Sequence, residues 1–343
     1  MNGQLRGDRV VVGGDARQRF HDASGYGVPR DGNEIALSRV EAAHLLFRGE
    51  LDAVDEMGFR EFLAAGDSGF STRFLVYMDL RDRGFYLSPA REDWVDEPGD
   101  ADFVVYPRGK GPRDDEIAYR VRVVGERTDV PAADLGGTVL AVVDEESELT
   151  YLETERVDPD GDTEYELDEP AEGVLLDDRV VVWEPPLALH RSAFYGQEFS
   201  SRASDVGAVQ LSLVEAAYLG AEGDLVLPER DGDVDALVER GRAVERRRFD
   251  RRLRTYRELR DRGLVPKTGF KFGADFRTYA DVEDVDDLGH SEWLVRCLEP
   301  GHVFDPRDLA LDVRLAHGVR KRMVFALAHR DEITWLAASR LTP

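Results

Sequence analysis

A mixed α/β fold, built twice in tandem, is what this 343-residue sequence predicts. Three observations carry that expectation. Four motifs recur in the same order. One of them opens a capped, amphipathic helix in each copy. Short β-rich runs follow the helix that ends in "LRDRG" in each copy.

The recurrences are specific. "GDRVVV" (7–12) returns as "DDRVVV" (177–182), and "LSRVEAAHL" (37–45) as "LSLVEAAYL" (211–219). "YMDLRDRG" (77–84) returns as "YRELRDRG" (256–263), and "ADFVVY" (101–106) as "ADFRTY" (274–279). Order is kept and the offset stays near 170–180 residues, which makes this a tandem duplication of one unit of roughly 170 residues.

Each element has a local cause. Ser38-x-x-Glu41 and Ser212-x-x-Glu215 read as capping boxes, in which the serine takes an orphan backbone N–H and the glutamate reaches back. Apolar residues at 37, 40, 43/44 and at 211, 214, 217/218 continue each box as a helical stripe. Gly84 and Gly263 stand where a left-handed residue would stop the "LRDRG" helices. In the second copy "GLVPKTGFKF", "ADFRTYA" and "SEWLVRCL" read as strands, "DLALDVRLAHGVRKR" as a helix, and "MVFALA" and "ITWLAA" as two closing strands. Each copy thus divides into a small N-terminal α/β subdomain and a C-terminal, sheet-centred, nuclease-like subdomain. The expected boundaries are 1–73 and 74–154, then 174–250 and 251–343. Between the copies, "ERVDPDGDTEYELDEPAEG" (155–173) is acidic, Pro/Gly-bearing and poor in apolar residues, and is expected to be an exposed linker.

Composition bounds the setting. Seventy Asp and Glu against 45 Lys and Arg give a net charge of -25, and only four of the basic residues are lysine. So many hydrated carboxylates suit a protein dissolved in concentrated intracellular salt, hence a halophile. Net charge is a sum and binding sites are local, so the total neither argues for nor excludes a nucleic-acid partner. A single cysteine, Cys297, rules out an internal disulfide and fits a reducing cytoplasm. No apolar run is long enough for a membrane span, and the N-terminus carries no signal-like segment. In the acidic joint, Gly161 falls out of place for a calcium-binding loop. No H-x-x-x-H or C-x-x-C spacing suggests zinc. No metal and no cofactor are expected.

The duplication supplies an internal comparison for the scarce polar residues near the C-terminal end. Tyr279 faces Tyr106 of the first copy, His290 faces Asp115 or Glu116, and Lys321 faces Gly137. One copy therefore carries Tyr, His and Lys while the other keeps only the Tyr, the pattern of one working and one structural copy.

"LRDRGLVPKTGFKFGADFRTY", "HSEWLV" and "DLALDVRLAHGVRKRMVFAL" closely resemble the catalytic C-terminal part of archaeal tRNA-splicing endonucleases. The resemblance is strong over 251–343 and holds in order, more weakly, over 174–250 and the first copy. Its long form is similar to the family's two-repeat type, which implies a homodimer. It further implies cleavage of precursor tRNA at the two bulges of a bulge–helix–bulge RNA, with no membrane and no DNA partner expected. By position, Tyr279 matches the family's general base, His290 its general acid and Lys321 its charge-stabilising lysine. Arg314 matches the first of a pair of base-sandwiching arginines, and Arg340 corresponds to the second at a looser spacing. Arg314 precedes Lys321 by seven residues, which predicts one shared helix face. Lys267, Lys271 and Arg277 are expected to extend the RNA-binding patch. The "DEESE" turn, with Asp144, Glu145, Glu146 and Glu148, corresponds to the loop that docks on a neighbouring subunit. A non-catalytic RNA-binding or assembly subunit of the same fold is the alternative, against which the Tyr279, His290 and Lys321 set stands. A metal-dependent nuclease is a further alternative, distinguished by inhibition with a chelator.

Overall fold

The computed structural model describes all residues except 92–93, 115, 202–203, 231–233 and 330–331. The chain divides into two compact units. The first comprises Met1–Glu155 with Val303–Leu311 and Ser339–Pro343, and the second Arg156–His302 with Asp312–Ala338.

Each unit is mixed α/β and built to one plan. In the first, a five-stranded sheet runs in the order Val28–Pro29, Ile35–Ser38, Arg9–Val12, Asn2–Arg6, Ala53–Val54. In the second the order is Gln197–Ser201, Ser204–Ser212, Arg179–Trp183, Ala171–Leu175, Leu225–Val226. Both expected capping boxes form. Ser38 precedes helix Arg39–Phe47 and Ser212 precedes helix Leu213–Glu222, with the box glutamate bonded back in each. Helices Phe70–Asp82 and Arg247–Asp261 end just before Gly84 and Gly263, whose φ values of 89° and 73° need a residue without Cβ.

The C-terminal parts match as well. Leu87–Pro89, Phe103–Val105, Tyr119–Gly125, Thr138–Val143 and Leu149–Arg156 are neighbours in that order. So are Val265–Thr268, Phe276–Tyr279, Trp293–Leu298, Arg322–Ala328 and Ile333–Leu341. The recurring "ADF" has a backbone reason. Asp102 Oδ2 accepts the Val123 N–H at 2.7 Å, and Asp275 Oδ2 accepts the Cys297 N–H at 2.8 Å. Each carboxylate ties one strand to the next and satisfies a backbone donor that the sheet leaves over.

The acidic joint is not the exposed linker its composition predicts. Val157, Tyr165 and Leu167 pack against the core of the second unit. The Gly161, Asp162 and Thr163 amides donate to the carbonyls of Arg262, Ala280 and Gly263 at 2.8–3.0 Å. Thr163 Oγ1 also accepts the Val282 N–H at 2.9 Å. Gly161 permits the approach, because a Cβ there would lie 2.6 Å from the Gly263 carbonyl oxygen and 2.7 Å from that of Ala280. Polar composition disguised a strap held by its backbone amides together with the side chains of Val157, Thr163, Tyr165 and Leu167.

Candidate active site

Strand pairing brings together the three residues that distinguish the second copy. Phe276–Tyr279 is antiparallel to Trp293–Leu298, which is parallel to Arg322–Ala328. The end of the first strand therefore adjoins the starts of the other two. Tyr279 is the last residue of its strand, His290 lies three residues before Trp293, and Lys321 immediately precedes Arg322. Thr278, Trp293 and Arg322 are paired across the three strands. The Glu292 N–H donates to the Thr278 carbonyl and the Arg322 N–H to the Glu292 carbonyl. All three candidates thus occupy one edge of the sheet.

The Tyr279 ring is buried at 7% exposure, in edge contact with Phe194 at 5.7 Å between centroids. Its hydroxyl makes no hydrogen bond within the chain among the described residues. In the first copy, by contrast, the Tyr106 hydroxyl donates to Ser88 Oγ at 3.1 Å. The first-copy phenol is committed to packing, and burial raises its pKa above the ordinary 10.0. Arg277 lies with its guanidinium carbon 5.5 Å from the Tyr279 ring centroid. His290 is exposed and lines an open cleft of about 550 Å³ with Asp281, Glu283, Asp284, Asp287 and Glu292. The strap at Ala280 and Val282 pins the segment that leads from Tyr279 into this cleft.

Lys321 is aimed by short hydrogen bonds from Nζ to the carbonyl and hydroxyl of Ser291, the residue after His290. Partial burial, and then the charge of Arg277, hold its ammonium below the ordinary 10.5. Its first-copy counterpart, Gly137, has φ 111° and carries no side chain to use. Of the residues facing His290, Asp115 lies outside the described residues, and Glu116 pairs with Lys110 at 3.3 Å.

Two sequence expectations need correction. Lys267 is not a surface RNA contact. Its side chain is 10% exposed and Nζ donates to Glu215 Oε1, the Phe194 carbonyl and the Gly196 carbonyl at 2.9–3.0 Å. Buried carboxylate and backbone acceptors fill all three donor directions, leaving none for a phosphate. Arg314 and Lys321 do not share a helix face, because helix Pro306–Gly318 ends between them and Arg320 turns the chain at φ 57°. The seven-residue spacing presumed a helix that runs on to Lys321, whereas the helix ends at Gly318. Arg314 itself is exposed on that helix, Lys271 is exposed in the turn Phe270–Phe272, and Arg340 is exposed in the last strand.

The "DEESE" turn is partly internal. Asp144 Oδ1 accepts the Glu146 and Glu148 amides at 2.9 and 2.8 Å, closing the hairpin, and Glu145 pairs with Arg127 at 2.6 Å. Glu146 and Glu148 are exposed. No group of three or more His, Cys, Asp or Glu that could hold a metal ion occurs among the described residues. No helix there is long and apolar enough to cross a membrane.

Sequence comparison places this site in a family. The model described as "tRNA intron endonuclease, catalytic C-terminal domain" matches residues 249–335, and that of the N-terminal domain matches twice, at 1–63 and 171–238. A tRNA-splicing endonuclease of Halobacterium salinarum is 62% identical over 345 residues, covering 100% of both chains. The chain belongs to the tRNA-splicing endonuclease family. Another tRNA-splicing endonuclease, from Haloarcula marismortui, is 61% identical over 99% of both chains, and one from Methanosarcina mazei is 37% identical over 98% of both. The double N-terminal match agrees with the tandem duplication. The acidic, lysine-poor composition agrees with close relatives in this family that come from halophiles.

Reading the sequence missed the buried Lys267–Glu215 pair, the Phe194 contact with Tyr279 and the Ser291 anchor of Lys321. The internal comparison held a signal for the first, since Ser88 stands in the first copy where Lys267 stands in the second. Phe194 lies in no quoted motif, and Ser291, though within "HSEWLV", carries no sign there of its bond to Lys321.

Proposed function

We propose that the chain is an RNA endonuclease that cuts precursor tRNA at both intron boundaries within a bulge–helix–bulge structure. One observation carries this most directly: Tyr279, His290 and Lys321 converge on one sheet edge of the second copy, and the first copy keeps only a hydrogen-bonded Tyr. The names of the relatives support the substrate.

The reaction is transesterification followed by release. The 2′-oxygen forms a bond to the adjacent phosphorus as the bond to the 5′-oxygen breaks, leaving a 2′,3′-cyclic phosphate and a 5′-OH. Tyr279 takes the 2′-OH proton, a role open to a hydroxyl with no partner among the described residues and a guanidinium beside its ring. His290, exposed in the cleft, gives a proton to the departing 5′-oxygen. Lys321, held by Ser291, meets the charge that builds on the phosphoryl oxygens. Proton transfer and charge stabilisation are both supplied by side chains, so the scheme calls for no metal ion. Exposed Arg314 offers a planar guanidinium for a bulged base, with Arg340 as the second and Lys271 as a backbone contact. A homodimer assembled through Glu146 and Glu148 completes the proposal.

The test is end-group analysis of the products from a bulge–helix–bulge RNA in concentrated KCl with EDTA. Cyclic-phosphate and 5′-OH ends are expected, with His290→Ala slowing cleavage roughly 10²–10⁴-fold at little change in RNA binding. Loss of activity with EDTA, or full activity of His290→Ala, would overturn the mechanism.

A further inference from the structure

Arg277 enters the scheme above only as the guanidinium beside the Tyr279 ring, yet its surroundings are unusual for this chain. It stands on strand Phe276–Tyr279, paired across to Lys267 and two residues before Tyr279. Its side chain is half-buried, Nε is buried without a hydrogen-bond partner, and no ion pair with a carboxylate is present among the described residues. The charge of Arg277 is felt at Lys321, which among the described residues hydrogen-bonds only to the neutral Ser291. With 70 acidic and 45 basic residues, carboxylates are the abundant partner. By register, Arg277 pairs with Leu294 and Leu294 with Met323, two residues after Lys321, and neither cation is paired with a carboxylate among the described residues. Like charges placed so disfavour one another unless an anion joins them.

The duplication sharpens the point. The first copy has Val104, fully buried, where the second has Arg277. Strand pairing is equivalent, Ser88 opposite Val104 and Lys267 opposite Arg277. The sheet therefore does not need an arginine here. The cation occurs only in the copy that also has His290 and Lys321.

We propose that Arg277 is a fourth active-site group, which with Lys321 grips the non-bridging oxygens of the scissile phosphate. This rests on the RNA-cleaving role proposed above for the same site. Arg277 exchanges no proton. The 2′-OH proton goes to Tyr279, the 5′-oxygen receives one from His290, and the guanidinium meets the charge gathering on the phosphoryl oxygens. Its planar fork suits two phosphate oxygens, where Lys321 supplies a point charge.

The test uses the full chain in concentrated KCl and two readouts. One is single-turnover cleavage of bulge–helix–bulge RNA with RNA affinity measured in parallel. The other is binding of inorganic phosphate, without RNA, by phosphorus NMR line broadening. Arg277→Val installs the first-copy residue, and Arg277→Gln replaces it if that variant does not fold. Cleavage is expected to fall about 10²–10³-fold, the weight of one preorganised donor, with RNA affinity within a few-fold of wild type. Phosphate affinity is expected to fall about 10-fold or more in both Arg277→Val and Lys321→Ala. Arg277→Lys should recover part of the rate, which a purely packing role for the arginine stem would not explain. Equal phosphate binding by wild type and Arg277→Val, or no phosphate binding by wild type, overturns the proposal whether or not RNA is cut. If phosphate binding depends on Arg277 but wild type leaves the RNA intact, the anion site stands and the RNA-cleaving role fails.

Discussion

Replacing Lys267 by Met should turn Glu215 into a second Glu41. The two glutamates occupy the same place in the two copies and accept nearly the same hydrogen bonds. Glu41 takes the amides of Gly27 and Ser38 at 2.7 and 2.8 Å, and Glu215 those of Gly196 and Ser212 at 3.0 and 2.9 Å. Both are buried. For Glu41, burial dominates and pushes the carboxyl up to about 7. For Glu215, burial pushes the same way, but Lys267 and the backbone donors outweigh it and hold the carboxyl at about 2. The ordinary value is 4.5. A depressed carboxylate contributes stability that is full above the ordinary value and is lost as pH falls from about 4.5 towards about 2. A raised one has the opposite sign, its stability being lost as pH rises from about 4.5 to about 7. Without Lys267, Glu215 changes from the first behaviour to the second.

At about 1.36 kcal/mol per pH unit, the interval from 4.5 to about 7 is worth about 3 kcal/mol. That agrees with the ~3–5 kcal/mol cost of removing one partner of a buried pair. Methionine keeps much of the lysine volume, so little of the loss comes from a cavity. The assay is denaturant unfolding of both proteins in concentrated KCl across pH 4.5 to 8, read as the difference between them so that Glu41 cancels. The deficit of Lys267→Met should grow by about 3 kcal/mol over that range. Adding Glu215→Gln should flatten the pH dependence and recover much of the loss. A deficit independent of pH would mean that Glu215 stays ionised without the lysine, and the account of the pair would be wrong.

Tyr279→Phe should impair RNA cleavage while Tyr106→Phe leaves it nearly intact, because the Tyr106 hydroxyl is spent on Ser88; equal loss in both would assign chemistry to the first copy too. Glu146→Lys with Glu148→Lys should weaken a dimer in sedimentation while sparing the hairpin that Asp144 closes, and an unchanged dimer would reduce "DEESE" to a solvated turn. Arg314→Lys keeps charge but loses the stacking plane, so precursor cleavage should drop in a way that added salt does not mask. Full activity in concentrated KCl would show that charge alone is what this position supplies.

Much was legible from residues alone because it depends on short-range geometry or on repetition. Capping boxes at Ser38 and Ser212, left-handed glycines at 84 and 263, and the strand that ends at Tyr279 are local backbone chemistry and form as read, while "GLVPKTGFKF" is strand only over Val265–Thr268 and turns at Phe270–Phe272. The duplication singled out Tyr279, His290 and Lys321 without showing that they meet. Only strand pairing puts the end of one strand beside the starts of two others, across 43 residues of chain from Tyr279 to Arg322. Burial was the other decision left to the tertiary structure. Lys267 and Lys271 look alike in "PKTGFK", yet one is enclosed with Glu215 and the other exposed in a turn. The polar segment 157–167 likewise became a docked strap, because a glycine let two backbones touch. Composition reports which side chains prefer water. The packing around each one decides whether it meets water or an oppositely charged partner.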